Sequence, residues 1–411
     1  MWQSAPLSGA ATGGGGPLSA TGAVDLSARE PSSAAPDISV VMPCLNEAGS
    51  VGTCIEKAWE GIRRTGLTGE VVVSDNGSTD DSVAVAGKAG ARVVRQPARG
   101  YGNAYLKGFA EARGRFIIMG DSDGSYDFTQ IDRLIAPLRE GYDYVLGSRF
   151  AGNILKGAMP WHHRYIGNPV LTGVLNRLFK VDSSDAHSGM RAFTSDAYRR
   201  MALRSEGMEL ASEIVINAAK AGLRGTEVPI TYHPREGESK LNSMRDGWRH
   251  LRFMLLRSPT WLFVGPGIAM FVVGLVGQGL LLPGPLNLGF HALEEHFSVF
   301  FALLAILGYQ TLLFGVFART CRLREVEAPP DRLQGWFERN YSLERGLIGG
   351  GLMFLVGFVI DAVILVHWLR EGMGPINSLR PALLAMTLMM VGAKTGFAAF
   401  FLSLFRLDRP R

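Results

Sequence analysis

Four long apolar stretches, at about 261–283, 297–318, 346–368 and 381–405, dominate the second half of this 411-residue sequence. Each reaches the roughly 20 residues that an α-helix needs to cross the hydrocarbon core of a bilayer. Four such runs in succession are hard to hide in one soluble core, so the sequence predicts a transmembrane domain over 259–411. Just before it, 241–258 mixes Arg245, Arg249, Arg252 and Arg257 with Trp248, Leu251, Phe253, Met254 and Leu255. That mixture predicts an amphipathic helix in the membrane interface, with packing on the neighbouring soluble domain as the alternative.

The connection 284–296 has no Lys or Arg, whereas 320–345 carries Arg322, Arg324, Arg332, Arg339 and Arg345, and the tail adds Arg406, Arg409 and Arg411. With four spans, the soluble domain, the basic loop and the tail share one side, which the positive-inside rule places in the cytoplasm. The net charge of +5 gathers near the membrane, pointing to anionic lipid as a partner and not to nucleic acid. Residues 1–36, rich in Gly, Ser, Ala and Pro, read as a disordered leader without the basic start and apolar run of a signal peptide. The three cysteines have no metal-ligand spacing. Within the membrane, Asp361 and Lys394 are expected to pair, since isolated charges there are expensive. Nothing in the pattern excludes a homo-oligomer.

From Ile38 the sequence alternates apolar strands with amphipathic helices: "ISVVMP", "EVVVSD", "ARVVRQ" and "RFIIMGD" are the strands. Continuous apolar strands separated by helices predict an α/β domain over 37–240 with a mainly parallel sheet covered on both faces. Ligands of such sheets bind at the carboxyl ends of the strands. Those ends read "PCLNE", "SDNGSTDDS" and "GDSDGS", all polar, acidic and turn-forming.

Asp121 and Asp123, one residue apart after a strand, suit a hard divalent cation that takes oxygen ligands and bridges to substrate phosphates. Asp75 ends another strand, where a carboxylate can accept from a base N–H or a ribose hydroxyl, while Ser78 to Asp81 read as caps for the following helix. Asp127 reads as a cap for a helix near Thr129. A dinucleotide fingerprint is not completed: Gly100 and Gly102 follow a strand, but the third glycine position is Tyr105.

Together, "VVMPCLNE", "VVVSDNGSTDDS", "GDSDGSYDF", "GSRF", "SGMRAF" and "REGESK" resemble a family 2 glycosyltransferase of the GT-A fold, in the branch of polyprenyl- or dolichyl-phosphate hexose synthases. The resemblance covers about 38–259. It implies that Pro43, Asn46, Glu47, Asp75 and Asp121 hold the nucleotide, and that Asp121 and Asp123 hold Mg²⁺ or Mn²⁺ against the diphosphate. It further implies that Arg149, Arg191, Arg235, Ser239 and Lys240 grip the acceptor phosphate, with Arg149 counted among the catalytic groups. Relatives place a coordinating Gln where this sequence has Ser125, so Ser125 or water fills the third metal position.

The resemblance thus implies inverting transfer of one hexose from a nucleotide sugar, GDP-mannose or UDP-glucose, to a polyprenyl or dolichyl phosphate. A processive polysaccharide synthase shares the donor half of such a site, but its "QxxRW" motif is not supplied by "QGWFERN". A membrane transport or scaffold protein with a degenerate transferase domain is the non-enzymatic alternative; intact Asp75, Asp121 and Asp123 argue against degeneracy.

Overall fold

The computed structural model describes residues 35–237, 243–287, 292–325, 342–373 and 378–407. The leader, save residues 35 and 36, lies outside them, as do Ser239, Lys240 and the side chains of Arg322, Arg324, Arg332, Arg339, Arg406, Arg409 and Arg411. The chain forms two compact units, Met1–Met254 and Leu255–Arg411.

The first unit opens with β1 (Ile38–Cys44), α1 (Val51–Thr65), β2 (Gly69–Asp75), α2 (Ser82–Lys88), β3 (Arg92–Arg95), α3 (Tyr101–Glu111) and β4 (Phe116–Met119). It continues with α4 (Ile131–Arg139), β5 (Tyr144–Ile154), α5 (Asn168–Phe179), β6 (Arg191–Thr194), α6 (Ser195–Met201), α7 (Leu210–Lys220), β7 (Gly225–Tyr232) and α8 (Ser243–Leu256). The strands form one seven-stranded sheet in the order β3-β2-β1-β4-β6-β5-β7. All neighbours are parallel except β6, which runs antiparallel to both β4 and β5. The sheet is therefore mainly parallel, as expected.

The period of two along β1 explains how it sits between two helical layers. Val40 and Met42 enter a core with Ile55 and Ile62 of α1 and Ile131 and Leu134 of α4. Val41, between them, enters the opposite core with Tyr105 and Phe109 of α3 and Ile214 of α7. On α1, Val51, Cys54, Ile55, Ala58 and Ile62 recur at helical spacing and are buried, and Gly66 closes the helix at φ 71°.

Helix α8 shows the packing on the soluble domain that was the alternative expected of 241–258. Met254 is buried in a cluster with Leu175 and Val215, and Phe253 packs against it, while Trp248 remains exposed.

Among the described residues of the second unit, four helices are long and apolar enough to cross a membrane: Thr260–Leu281, Glu295–Thr320, Leu343–Arg370 and Leu379–Leu404. Their helical cores are α9 (Gly265–Leu281), α10 (Glu295–Glu325), α11 (Leu343–Arg370) and α12 (Leu379–Leu407). Small residues bring backbones together: a Cβ on Gly274 would stand 2.4 Å from Ala305 N, and one on Gly392 2.5 Å from Gly350 O. Gln278 Nε2 donates to Thr387 Oγ1 at 2.9 Å. Side chains such as Ile348, Val363 and Phe397, each more than 60% exposed, present the outward apolar surface that lipid covers. No ion pair joins Asp361 to Lys394 among the described residues, so that expectation fails.

Candidate active site

The register pairs Cys44 with Asp75 and Val41 with Met119, which brings the carboxyl ends of β2, β1 and β4 side by side. The three loops beyond them are then stitched together. Ser122 Oγ donates to Pro43 O at 2.6 Å, and Ser50 Oγ donates to Ser122 O at 2.7 Å. Asn46, at φ 55°, donates its N–H to Ser78 Oγ (3.0 Å) and accepts from Thr79 N at Oδ1 (2.8 Å). Asp80 Oδ1 accepts from Ser82 N at the start of α2, while the N-cap residue Asp81 makes no side-chain cap hydrogen bond.

Asp75 is buried, and its two oxygens accept from Gly77 N and Ser78 N at 3.3 and 3.0 Å. These bonds fix the carboxylate at the strand end and leave lone pairs for a further donor, since a carboxylate has about four.

Asp121 follows the wholly buried β4. Its Oδ1 accepts from Tyr101 Oη and Tyr105 Oη, both at 2.9 Å, while a Cβ on Gly189 would stand 3.0 Å from Oδ2. Glycine at 189 thus leaves room for the carboxylate. Burial, and next the charge of Asp123, push Asp121 up to about 6, against the tyrosine hydrogen bonds.

Asp123 Oδ1 accepts from Ser125 N at 3.0 Å and Ser125 Oγ at 2.5 Å. Ser125 is buried and its hydroxyl donates to Asp123, so it orients that carboxylate while its oxygen keeps its own lone pairs. Asp127 accepts from Thr129 N and caps the turn at Phe128–Gln130, as expected.

The segment after β7 lies on this loop: His233 N donates to Ser125 O at 2.9 Å and Glu236 N to Asp123 O at 2.8 Å. It carries Arg235 to the carboxylates, with Nη2 at 3.6 Å from both Glu47 Oε1 and Asp123 Oδ2. Arg235 Nε is buried with no hydrogen-bond partner among the described residues.

The other two arginines face differently. Arg149 lies where the β5–β7 register shifts, between Ser148 and Asn153. Its Nε and Nη2 donate to the two oxygens of Asp185, each at 2.8 Å, and its guanidinium lies 5.1 Å from the Tyr232 ring centroid. Arg191 must be reassigned. It is fully buried, and its guanidinium donates to three backbone carbonyls, Ser188 O, Ala211 O and Ala186 O, at 2.8, 2.7 and 2.9 Å. It ties the 186–191 loop to α7 and is closed off from solvent.

Tyr101, Tyr105 and Asp185 belong to this site or its support without having been singled out by motif. The usable signal for the tyrosines was their i, i+4 spacing at the head of a helix. Gly100 and Gly102 have a packing role: a Cβ on Gly102 would stand 2.0 Å from Ser205 O.

The donor chemistry fits a hard divalent cation. Two carboxylates a residue apart repel each other, and Asp121 is held in a setting that penalises its charge, the imbalance a cation between them would relieve. Among the described residues no three His, Cys, Asp or Glu side chains converge as a complete ligand set, so substrate oxygens and water would complete the shell.

The sequence pattern described as glycosyl transferase family 2 matches residues 39–202, and that of the glycosyltransferase family 2 C-terminal transmembrane region matches 316–406. The chain is 40% identical over 369 residues to the low-salt glycan biosynthesis hexosyltransferase of Haloferax volcanii, covering 90% of this chain and 89% of that protein. It is 33% identical over 217 residues to the dolichyl-phosphate hexose transferase of the same organism, covering 51% of this chain and 89% of the relative. Among solved structures, glucosyl-3-phosphoglycerate synthase from Mycobacterium tuberculosis, in complex with Mn²⁺, UDP and glucosyl-3-phosphoglycerate, aligns over 54% of this chain and 80% of that chain, with a TM-score of 0.44 and 22% identity.

Proposed function

This chain belongs to glycosyl transferase family 2, and from that premise we propose that it transfers a single hexose from a nucleotide sugar to a polyprenyl or dolichyl phosphate at the cytoplasmic membrane face. That it is a glycosyltransferase with a membrane-spanning region follows from the family. The donor, the acceptor, the orientation and the residue roles are the reading offered here.

One observation carries it: the carboxylates Glu47, Asp121 and Asp123 share one sheet edge with Arg235 in a chain that also holds four membrane-length helices. A cationic group beside the diphosphate site suits an acceptor that is itself a phosphate. The lipid acceptor accounts for the membrane helices, and the Arg-rich loop and tail support the cytoplasmic side.

In this reading Asp75 and Glu47, with the backbone around Pro43 and Asn46, hold the nucleotide. Asp121 and Asp123 hold Mg²⁺ or Mn²⁺, which when bound neutralises charge on the departing nucleoside diphosphate. Arg235, with Ser239 and Lys240 beyond it and Arg149 fixed by Asp185, supplies positive charge to the acceptor phosphate. A phosphate monoester has a second pKa of about 6 and is largely dianionic at neutral pH, so it attacks the anomeric carbon without a strong base. Attack opposite the leaving group inverts that centre, giving a β-linked product from an α-linked donor.

The test is a panel of labelled nucleotide sugars, GDP-mannose and UDP-glucose included, with Mg²⁺ or Mn²⁺ and polyprenyl phosphate. The expected product is an organic-extractable lipid phosphate bearing one hexose. Long polymer would mark a processive synthase, and absence of turnover with every donor would remove the catalytic reading.

A further inference from the structure

Tyr101 and Tyr105, one turn apart at the head of α3, direct their hydroxyls at the same atom. Each Oη lies 2.9 Å from Asp121 Oδ1. A carboxylate oxygen has about two lone-pair sites and a phenol one proton, so the pair fills the accepting capacity of Oδ1. The rings are fixed in place: Tyr105 is fully buried and stacks on Phe109 at 5.4 Å between centroids, and Tyr101 meets Tyr105 edge-on at 5.0 Å. A phenol keeps its proton at neutral pH, so both hydroxyls are donors to the carboxylate.

We propose that Tyr101 and Tyr105 are positioning residues that make Asp121 a one-oxygen ligand and thereby select a small octahedral cation, Mg²⁺ or Mn²⁺, over Ca²⁺. The inference rests on the reading of Asp121 and Asp123 as metal ligands. Mg²⁺ demands near-octahedral geometry at about 2.0–2.1 Å, whereas Ca²⁺ gathers roughly six to eight oxygens at longer range and accepts carboxylates through both oxygens. With Oδ1 saturated, Asp121 offers Oδ2, which lies beside Gly189. Asp123 is restricted in the same manner, because Ser125 N and Oγ both bond its Oδ1. Each carboxylate of the pair presents one oxygen, and Ca²⁺ loses the additional contacts that would compensate its larger shell. Neither tyrosine touches the substrate in this role; both act through Asp121.

Competition for Mn²⁺ tests this. Mn²⁺ bound to the detergent-solubilised full chain, with UDP or with GDP, is read from the loss of its free EPR signal and displaced by Mg²⁺ or by Ca²⁺. Tyr101→Phe, Tyr105→Phe and the double variant keep the rings and free one or both lone pairs of Oδ1. The expected result is a rise of about tenfold in the effectiveness of Ca²⁺ relative to Mg²⁺ in the double variant, the scale of other groups that orient metal ligands, with smaller rises in the singles. An unchanged ratio in the folded variants, or an equal weakening of all three cations, overturns the selectivity role while leaving the metal site intact. If Asp121→Asn leaves Mn²⁺ binding as in the wild type, the metal reading itself fails first. Thermal unfolding of each variant separates these outcomes from loss of fold, and should the double variant not fold, the single variants decide.

Discussion

At the ends of β1, β2 and β4, carboxylates are oriented by neighbouring donors: Asp75 by backbone N–H groups on both oxygens, Asp121 by two phenols on one, Asp123 by Ser125 on one. Around β5 and β6, charge is instead closed upon the protein itself. Arg149 makes a bidentate pair with the fully buried Asp185, and Arg191 closes on three backbone carbonyls. In the proposed reading the carboxylates serve the donor and Arg149, held by Asp185, serves the acceptor phosphate, whereas Arg191 serves the architecture. What separates Arg191 from the others is that its side chain is wholly enclosed and bonded to backbone carbonyls.

The largest effect should come from breaking the first side. Asp123→Ala is expected to lower kcat by at least about 10³-fold, the scale of a lost group that stabilises transition-state charge, while the unfolding midpoint stays near that of the wild type. A modest drop in turnover would place Asp123 with the architectural charges.

Breaking the second side should cost stability first. Asp185→Asn leaves Arg149 buried without its counter-charge and is expected to destabilise the first unit by about 3 kcal/mol. Chemical denaturation measures this, and a loss below about 1 kcal/mol would show that Arg149 finds another partner.

A smaller and pH-dependent effect sharpens the contrast. Asp121 is raised to about 6 from an ordinary value of 3.8, so the folded protein binds this proton more tightly than the unfolded one. The sign follows: without metal, its contribution to stability is most favourable below the unfolded value and declines as the pH rises from about 4 to 6. Asp121→Asn removes that penalty and should stabilise the metal-free protein at pH 7.5 by about 1 kcal/mol, after allowance for weaker tyrosine hydrogen bonds. The gain should vanish near pH 4 and reverse with Mg²⁺ or Mn²⁺ present; a gain independent of pH would contradict the electrostatic cause.

The membrane helices were legible because their length and apolarity are properties of single segments. The parallel half of the sheet was legible from the alternation of apolar runs and helices, and Asp75, Asp121 and Asp123 from their positions at strand ends. Arg191 was not, because "SGMR" carries no record of which way the first side chain of β6 turns. That strand is four residues long, antiparallel, and inserted between β4 and β5 by a distant part of the chain. The tyrosines escaped for a related reason. A helical pair of phenols is equally consistent with core packing, and only the fold brings their hydroxyls to Asp121. Ser125 shows the same limit, since its place two residues after Asp123 carries no record of the hydrogen bond its hydroxyl donates to that carboxylate.

The contrast between the two sides is tested most directly by a matched pair of kinetics, Arg235→Met against Arg191→Met, with the KM for polyprenyl phosphate and the unfolding midpoint measured on each purified full chain. Among the described residues Arg235 makes long, partly exposed ion pairs, so its removal should raise the acceptor KM by at least about tenfold and barely move stability. Arg191→Met should lower the midpoint and leave the KM of the folded fraction unchanged. The opposite pattern, with Arg191 controlling acceptor KM and Arg235 controlling stability, would contradict the account.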